Sequence, residues 1–181
     1  GQEPRDQFVQ TWQAALAEAE KAFQKATEAK PDFAQAHFLL AQTAARQGKI
    51  REAIRAVEQA RQAAPFDIGI AFQLGLLYYQ TNAIDKAQLE FEQAVSLNAS
   101  YSNARYFLGL IYDRKGDKVR AIQQFEEIEK FNPDNQEVKR ILANLRAGLP
   151  SLQGIVPPAE PPEKRSETPV KEPKGGRTSS E

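Results

Sequence analysis

Leu74, Gly75 and Tyr78 recur as Leu108, Gly109 and Tyr112, each 34 residues further on, and one step back the same places hold Leu40, Ala41 and Ala44. The interval also carries Ala53, Val57 and Ala60 to Ala87, Phe91 and Ala94, and then to Ala121, Phe125 and Ile128, with Ala19, Phe23 and Ala26 standing before them. Gly48, Asn82 and Gly116 keep the spacing between the two halves of each unit, while Pro31, Pro65, Ala99 and Pro133 keep it between units. A period of this length makes each unit one supersecondary element. Such an element cannot bury its apolar face alone, so successive units must stack.

Inside the period the local signals are helical. From Asp6 to about Ala29 nothing interrupts a helix, Pro4 suits its first turn, and Leu16, Ala19, Phe23 and Ala26 form an apolar stripe; this is one long helix or two joined tightly. Pro31 stops it, because proline lacks an amide donor and crowds the preceding turn. Each later unit reads as helix, turn, helix; in the middle one the helices span Ile68 to Gln80 and Ile84 to Leu97 around Asn82. Gly75 and Gly109 fall within first helices, where glycine costs about 1 kcal/mol relative to alanine. A close helix crossing offsets that cost, with Ala87 and Ala121 opposite the glycines and Tyr78, Phe91, Tyr112 and Phe125 filling the space around them.

Leu-Gly-x-x-Tyr followed by Ala-x-x-x-Phe-x-x-Ala and then Pro resembles the tetratricopeptide repeat, over about Gln7 to Ala147. The resemblance implies an all-α fold, a right-handed α-solenoid of stacked antiparallel helix pairs. It divides the chain into an N-terminal helix or divergent half-repeat (1–33), full repeats at 34–67, 68–101 and 102–135, a capping helix at 136–147 and a tail at 148–181. Ala44, His37, Ala99 and Ile128 depart from the family pattern, which expects Tyr, Trp, Pro and a small residue there. From Gly148 the composition shifts to Pro, Glu and Lys without any aromatic residue, so the tail should be disordered. Pro157 to Pro162, PPAEPP, suits a polyproline linker.

Charge and composition exclude several functions. Lys plus Arg and Asp plus Glu both number 24, which leaves no net field for nucleic acid or an anionic membrane surface. Cysteine is absent, removing disulfides and thiolate chemistry without fixing a compartment. No window approaches the ~20 apolar residues of a membrane span, so the chain as given reads as soluble and does not itself insert. The first residue is Gly1 and there is no methionine. A processed segment of a longer protein fits this, with any targeting signal or membrane tether upstream.

No catalytic constellation is legible. His37 is the single histidine and has no acidic residue at helical spacing, so it reads as a packing or surface residue, with no metal and no cofactor expected. Glu52, Glu58, Glu90, Glu126 and Glu127 share their helix faces with Lys or Arg and read as solvated surface. Gly75 and Gly109 lie within helices, and Gly175 and Gly176 open none, so there is no phosphate loop. The chain is expected not to be an enzyme.

In the tetratricopeptide family the first-helix surface turned away from the crossing lines a concave groove for peptides. Here the resemblance places Phe38, Gln42, Arg46, Phe72, Leu76, Tyr79, Asn103, Tyr106, Leu110 and Arg114 on it, aromatics with a few Arg and amide groups as peptide-recognition surfaces use. The alternative is that Phe72, Leu76, Tyr106 and Leu110 pack against neighbouring repeats. A Lys and Asn clamp for acidic peptide C-termini is not supported, since Phe38, Phe72, Tyr106, Gln42, Leu76 and Leu110 stand in its places. Trp12, one turn after Phe8, either covers the end of the array or faces an upstream neighbour. The expected function is a scaffold that binds a protein or peptide partner. The array, its LRAGLPSL end and the tail are also similar to the C-terminal repeats of some bacterial O-antigen ligase or polymerase-like membrane proteins, which implies a role in surface polysaccharide assembly as the alternative.

Overall fold

The computed structural model describes residues 3–155, 161–165 and 167–173. Pro157 and Pro158 of the polyproline expectation, and Gly175 and Gly176, lie outside them. Among the described residues eight α-helices follow in order: α1 (Glu3–Ala29), α2 (Ala34–Arg46), α3 (Ile50–Ala63), α4 (Ile68–Gln80), α5 (Ile84–Leu97), α6 (Ser102–Arg114), α7 (Lys118–Phe131) and α8 (Gln136–Arg146). No strand occurs among the described residues. The stretch before Pro31 is one helix of 27 residues, as expected where neither Pro nor Gly interrupts after Pro4. Contacts gather into two compact units, residues 1–77 and 78–181.

The turns within helix pairs share one chemistry. Gly48 (φ 75°), Asn82 (φ 63°) and Gly116 (φ 81°) adopt the left-handed conformation that only glycine, and less readily asparagine, visits without large cost. At each, the next amide reaches back to close the helix end: Lys49 to the Ala44 carbonyl at 2.9 Å, Ala83 to Tyr78 at 2.8 Å and Asp117 to Tyr112 at 2.8 Å. These bonds satisfy carbonyls that a helix C-terminus leaves open. Gly148 (φ 76°) repeats the device after α8, where the Leu149 amide donates to Asn144 O at 2.9 Å.

In the first unit α1 packs on α2 and α2 on α3. Small residues line the α2–α3 contact, Ala36, Ala41 and Ala44 of α2 with Ala53, Ala56, Val57 and Ala60 of α3, all buried, while Leu16 of α1 and Ile70, Phe72, Leu74 and Leu77 of α4 supply the larger buried side chains. His37 is half-buried and hydrogen-bonds the Pro31 carbonyl through Nε2 at 2.8 Å. Phe8 and Trp12 of α1 are exposed, at 72% and 44%.

In the second unit α6 packs on α5 and α7, and α7 on α8, around an aromatic core. Phe91 stacks on Phe107 with ring centroids 5.3 Å apart, and Tyr106 meets Phe107 edge-on at 5.6 Å and Phe125 at 5.5 Å. Aromatic pairs at such separations add to the area they bury. Gly109 is required by this packing: a Cβ there would lie 2.4 Å from Phe125 Cε2. The group that needs the space is thus the Phe125 ring. Ala121, expected to stand opposite, is itself fully buried.

After α8 the chain is pinned at Ser151. Its amide donates to Asp113 Oδ2 at 2.7 Å, while Lys118 Nζ donates to Asp113 Oδ1 and to the Leu149 carbonyl, each at 2.6 Å. Burial pushes the Asp113 carboxyl up, but the Lys118 ammonium and the Ser151 amide outweigh it and hold it below the usual aspartate range.

Candidate peptide-binding site

The N-terminus of α6 carries no cap of its own. Tyr101 occupies the N-cap position and its side chain makes no capping hydrogen bond to the helix, whose first amides have no intrahelical acceptor. The carboxylate of Glu172 fills the place: the Ser102 amide donates to Oε2 at 2.7 Å and the Asn103 amide to Oε1 at 2.8 Å. A helix N-terminus favours negative charge because its aligned peptide dipoles and free amides both point there.

Asn103 then reads the main chain beside Glu172. Its Nδ2 donates to Glu172 Oε1 at 2.6 Å and to the Val170 carbonyl at 3.0 Å, and its Oδ1 accepts from the Val170 amide at 3.3 Å. A carboxamide offers a donor and an acceptor side by side, which is what one residue's N–H and C=O require. Asn132, after α7, repeats the pattern on Lys171, accepting from its amide at 3.0 Å and donating to its carbonyl at 2.9 Å. Asn135 caps α8 by accepting from the Val138 amide and turns its Nδ2 to the Pro169 carbonyl at 3.2 Å. Val170 is left 2% exposed.

Glu137 stands 34 residues after Asn103, at the corresponding place in α8. Arg165 Nη1 donates to both its carboxylate oxygens, at 3.0 and 2.8 Å, and the Tyr106 hydroxyl donates to Oε1. Tyr106 is fully buried; burial first, and the bond to Glu137 second, hold its phenol far above the usual tyrosine range. Tyr79, edge-on to Phe107 at 5.4 Å, is half-buried, and burial reinforced by the Glu163 charge pushes its phenol up to about 12. Gln80 Nε2 donates to the Glu163 carbonyl at 2.8 Å.

Of the residues assigned to the groove, Tyr79, Asn103 and Tyr106 come together around Glu163, Arg165, Val170 and Glu172. Leu110 is buried, and Arg114 is exposed with its guanidinium on Asn82 Oδ1 at 2.7 Å. In the other unit Phe72 is buried, Phe38, Gln42 and Leu76 are half-buried, and Arg46 is exposed. Glu137, Asn132, Asn135 and Ser102 were not expected. Glu137 could have been found by adding one period to Asn103; the others read only as residues that cap or end helices. Among the described residues no cluster of His, Cys, Asp or Glu could hold a metal ion, and no helix is long and apolar enough to cross a membrane.

The tetratricopeptide-repeat family model matches residues 14–68 and 72–136. The chain belongs to that family. The tetratricopeptide fold is shared with the crystal structure of MamA, at 21% identity and TM-score 0.70 over 77% of this chain and 82% of that one. It is shared also with YrrB, described as a tetratricopeptide protein with an unusual peptide-binding site, at 20% identity and TM-score 0.68 over 77% and 72%. A curated relative, the protein O-mannosyl-transferase TMTC1 of Mus musculus, is 30% identical over 132 residues, which is 71% of this chain and 14% of the transferase. The chain spans between 13% and 28% of the length of the curated relatives it matches.

Proposed function

We propose that the chain is a non-catalytic protein-binding module that holds a peptide segment of a partner on the first-helix face of its repeats, centred on Asn103, Tyr106 and Tyr79. Leu110, buried, and Arg114, exposed, are the remaining groove positions of that unit; Phe38, Gln42, Arg46, Phe72 and Leu76 are the corresponding first-helix positions of the other unit, considered by itself. One observation carries this reading: asparagine side chains on and between the helices bind a non-helical segment through its amides and carbonyls. Such contacts accept a backbone of any sequence, and flanking pockets supply preference. The peptide-binding site described for YrrB, on the same fold, agrees with it.

The test is capture from lysate by the whole chain beside an Asn103→Ala, Glu137→Gln variant of equal helicity. A protein retained by the wild type and lost from the variant supports the assignment; the same set on both refutes it. A second reading rests on the sequence resemblance of the array and its LRAGLPSL end alone: the array as the soluble repeat region of a longer bacterial membrane protein of surface polysaccharide assembly. Hydrophobic spans of ~20 residues encoded just upstream support it, and a start codon close to Gly1 removes it.

A further inference from the structure

The segment that fills the site belongs to the chain itself, and its contacts state what the site selects. Three features of residues 165–172 are read by side chains or helix ends rather than by main-chain pairing alone. Glu172 supplies the carboxylate that closes the uncapped N-terminus of α6. Val170, two residues before it, is buried at 2% exposure where Asn103 and Asn135 fix its own backbone and that of Pro169. Arg165, five residues before Val170, pairs with Glu137 through both carboxylate oxygens. Lys171, between Val170 and Glu172, is held by its backbone only and its residue is exposed.

We propose that α6, α8 and the α7–α8 connection form a site for a peptide bearing a basic residue, then after four residues a small branched apolar residue, then a carboxylate two places on, and that Arg165 and residues 167–172 of this chain are its tethered occupant. A partner segment of this chemistry binds by replacing the tail. The proposal rests on the peptide-binding reading above and adds the ligand's chemistry and its competitor. The pattern is selective for physical reasons. A lysine at the Glu172 position would meet the positive end of α6, and an aspartate at the Val170 position would carry a buried charge without a partner. The tail acts as a competitor because a ligand on a short tether experiences an effective concentration in the millimolar range.

The test uses the whole chain and a fluorescent synthetic peptide of residues 163–173, with anisotropy as the readout. Val170→Asp with Glu172→Lys empties the site from the tail side and leaves every helix residue intact, which circular dichroism checks. The emptied chain is expected to bind the peptide at least roughly tenfold more tightly than the wild type, whose own tail competes. Peptides carrying either substitution are expected not to bind the emptied chain. Equal binding by both chains, binding by neither, or equal affinity for the substituted peptides overturns the proposal. If the peptide fails while Asn103→Ala, Glu137→Gln still abolishes partner capture, the tail inference falls and the peptide-binding function stands.

Discussion

Gly109→Ala tests the packing of the second unit at its tightest point. The added methyl would sit 2.4, 2.8 and 2.9 Å from three ring carbons of Phe125, where carbon atoms rest about 3.5–4.0 Å apart. The ring has to retreat by about 1 Å, yet it is fully buried with Tyr106 across it at 5.5 Å. Overpacking of this kind costs about 1–3 kcal/mol, and the better helix propensity of alanine returns about 1 kcal/mol. The short separation places the strain at the upper end, so a net loss of about 2 kcal/mol is expected. Phe125→Leu removes part of the ring and should cost about 2 kcal/mol through the cavity it opens. In the double variant the new methyl enters space the ring has left, so the two losses should overlap by about 1–3 kcal/mol. Urea unfolding followed by circular dichroism measures all three. A neutral or stabilising Gly109→Ala, or strictly additive losses, would refute the close approach as the reason for glycine.

Asn82→Ala should destabilise by roughly 1–2 kcal/mol, since alanine tolerates the left-handed turn poorly, whereas Asn82→Gly should be near neutral; thermal melts separate them. Because the Asp113 carboxyl is held below its unfolded value, its contribution to stability is present above the unfolded pKa and is lost as pH falls through the folded one. Acid unfolding of Asp113→Asn should therefore be less steep below about pH 4 than that of the wild type, as titration followed by circular dichroism would show. Tyr79 and Tyr106 should remain un-ionised at a pH near 10–11 where an ordinary phenol titrates, read as ultraviolet difference absorbance. With their folded values raised, the stability they contribute is complete below the unfolded pKa of ~10 and declines as pH rises above it.

Helices and turns are legible because their causes are local. Ile68–Gln80 and Ile84–Leu97 appear where periodicity and Asn82 place them, and the glycine requirement at 109 follows from its position inside a helix. The identity of the crowding neighbour is not legible, since Ala121 and Phe125 both lie on the same face of α7 and only packing decides which approaches. The site is half legible. Asn103, Tyr106 and Tyr79 follow from first-helix periodicity, whereas Asn132 and Asn135 announce only the end of one helix and the start of the next. The tail leaves no signal because five of its bonds run through the amides and carbonyls of residues 169–171, which every sequence possesses.

Tyr101 heads α6 without capping it, so a duty that N-cap residues usually perform from the adjacent position has passed to Glu172, 70 residues from Ser102 along the chain. Tolerance to substitution in the tail should therefore be uneven despite its uniform, polar composition. A systematic scan would find Lys171 freely replaceable, since only its backbone is used, while Val170 and Glu172 would behave like core and cap positions of the helical array.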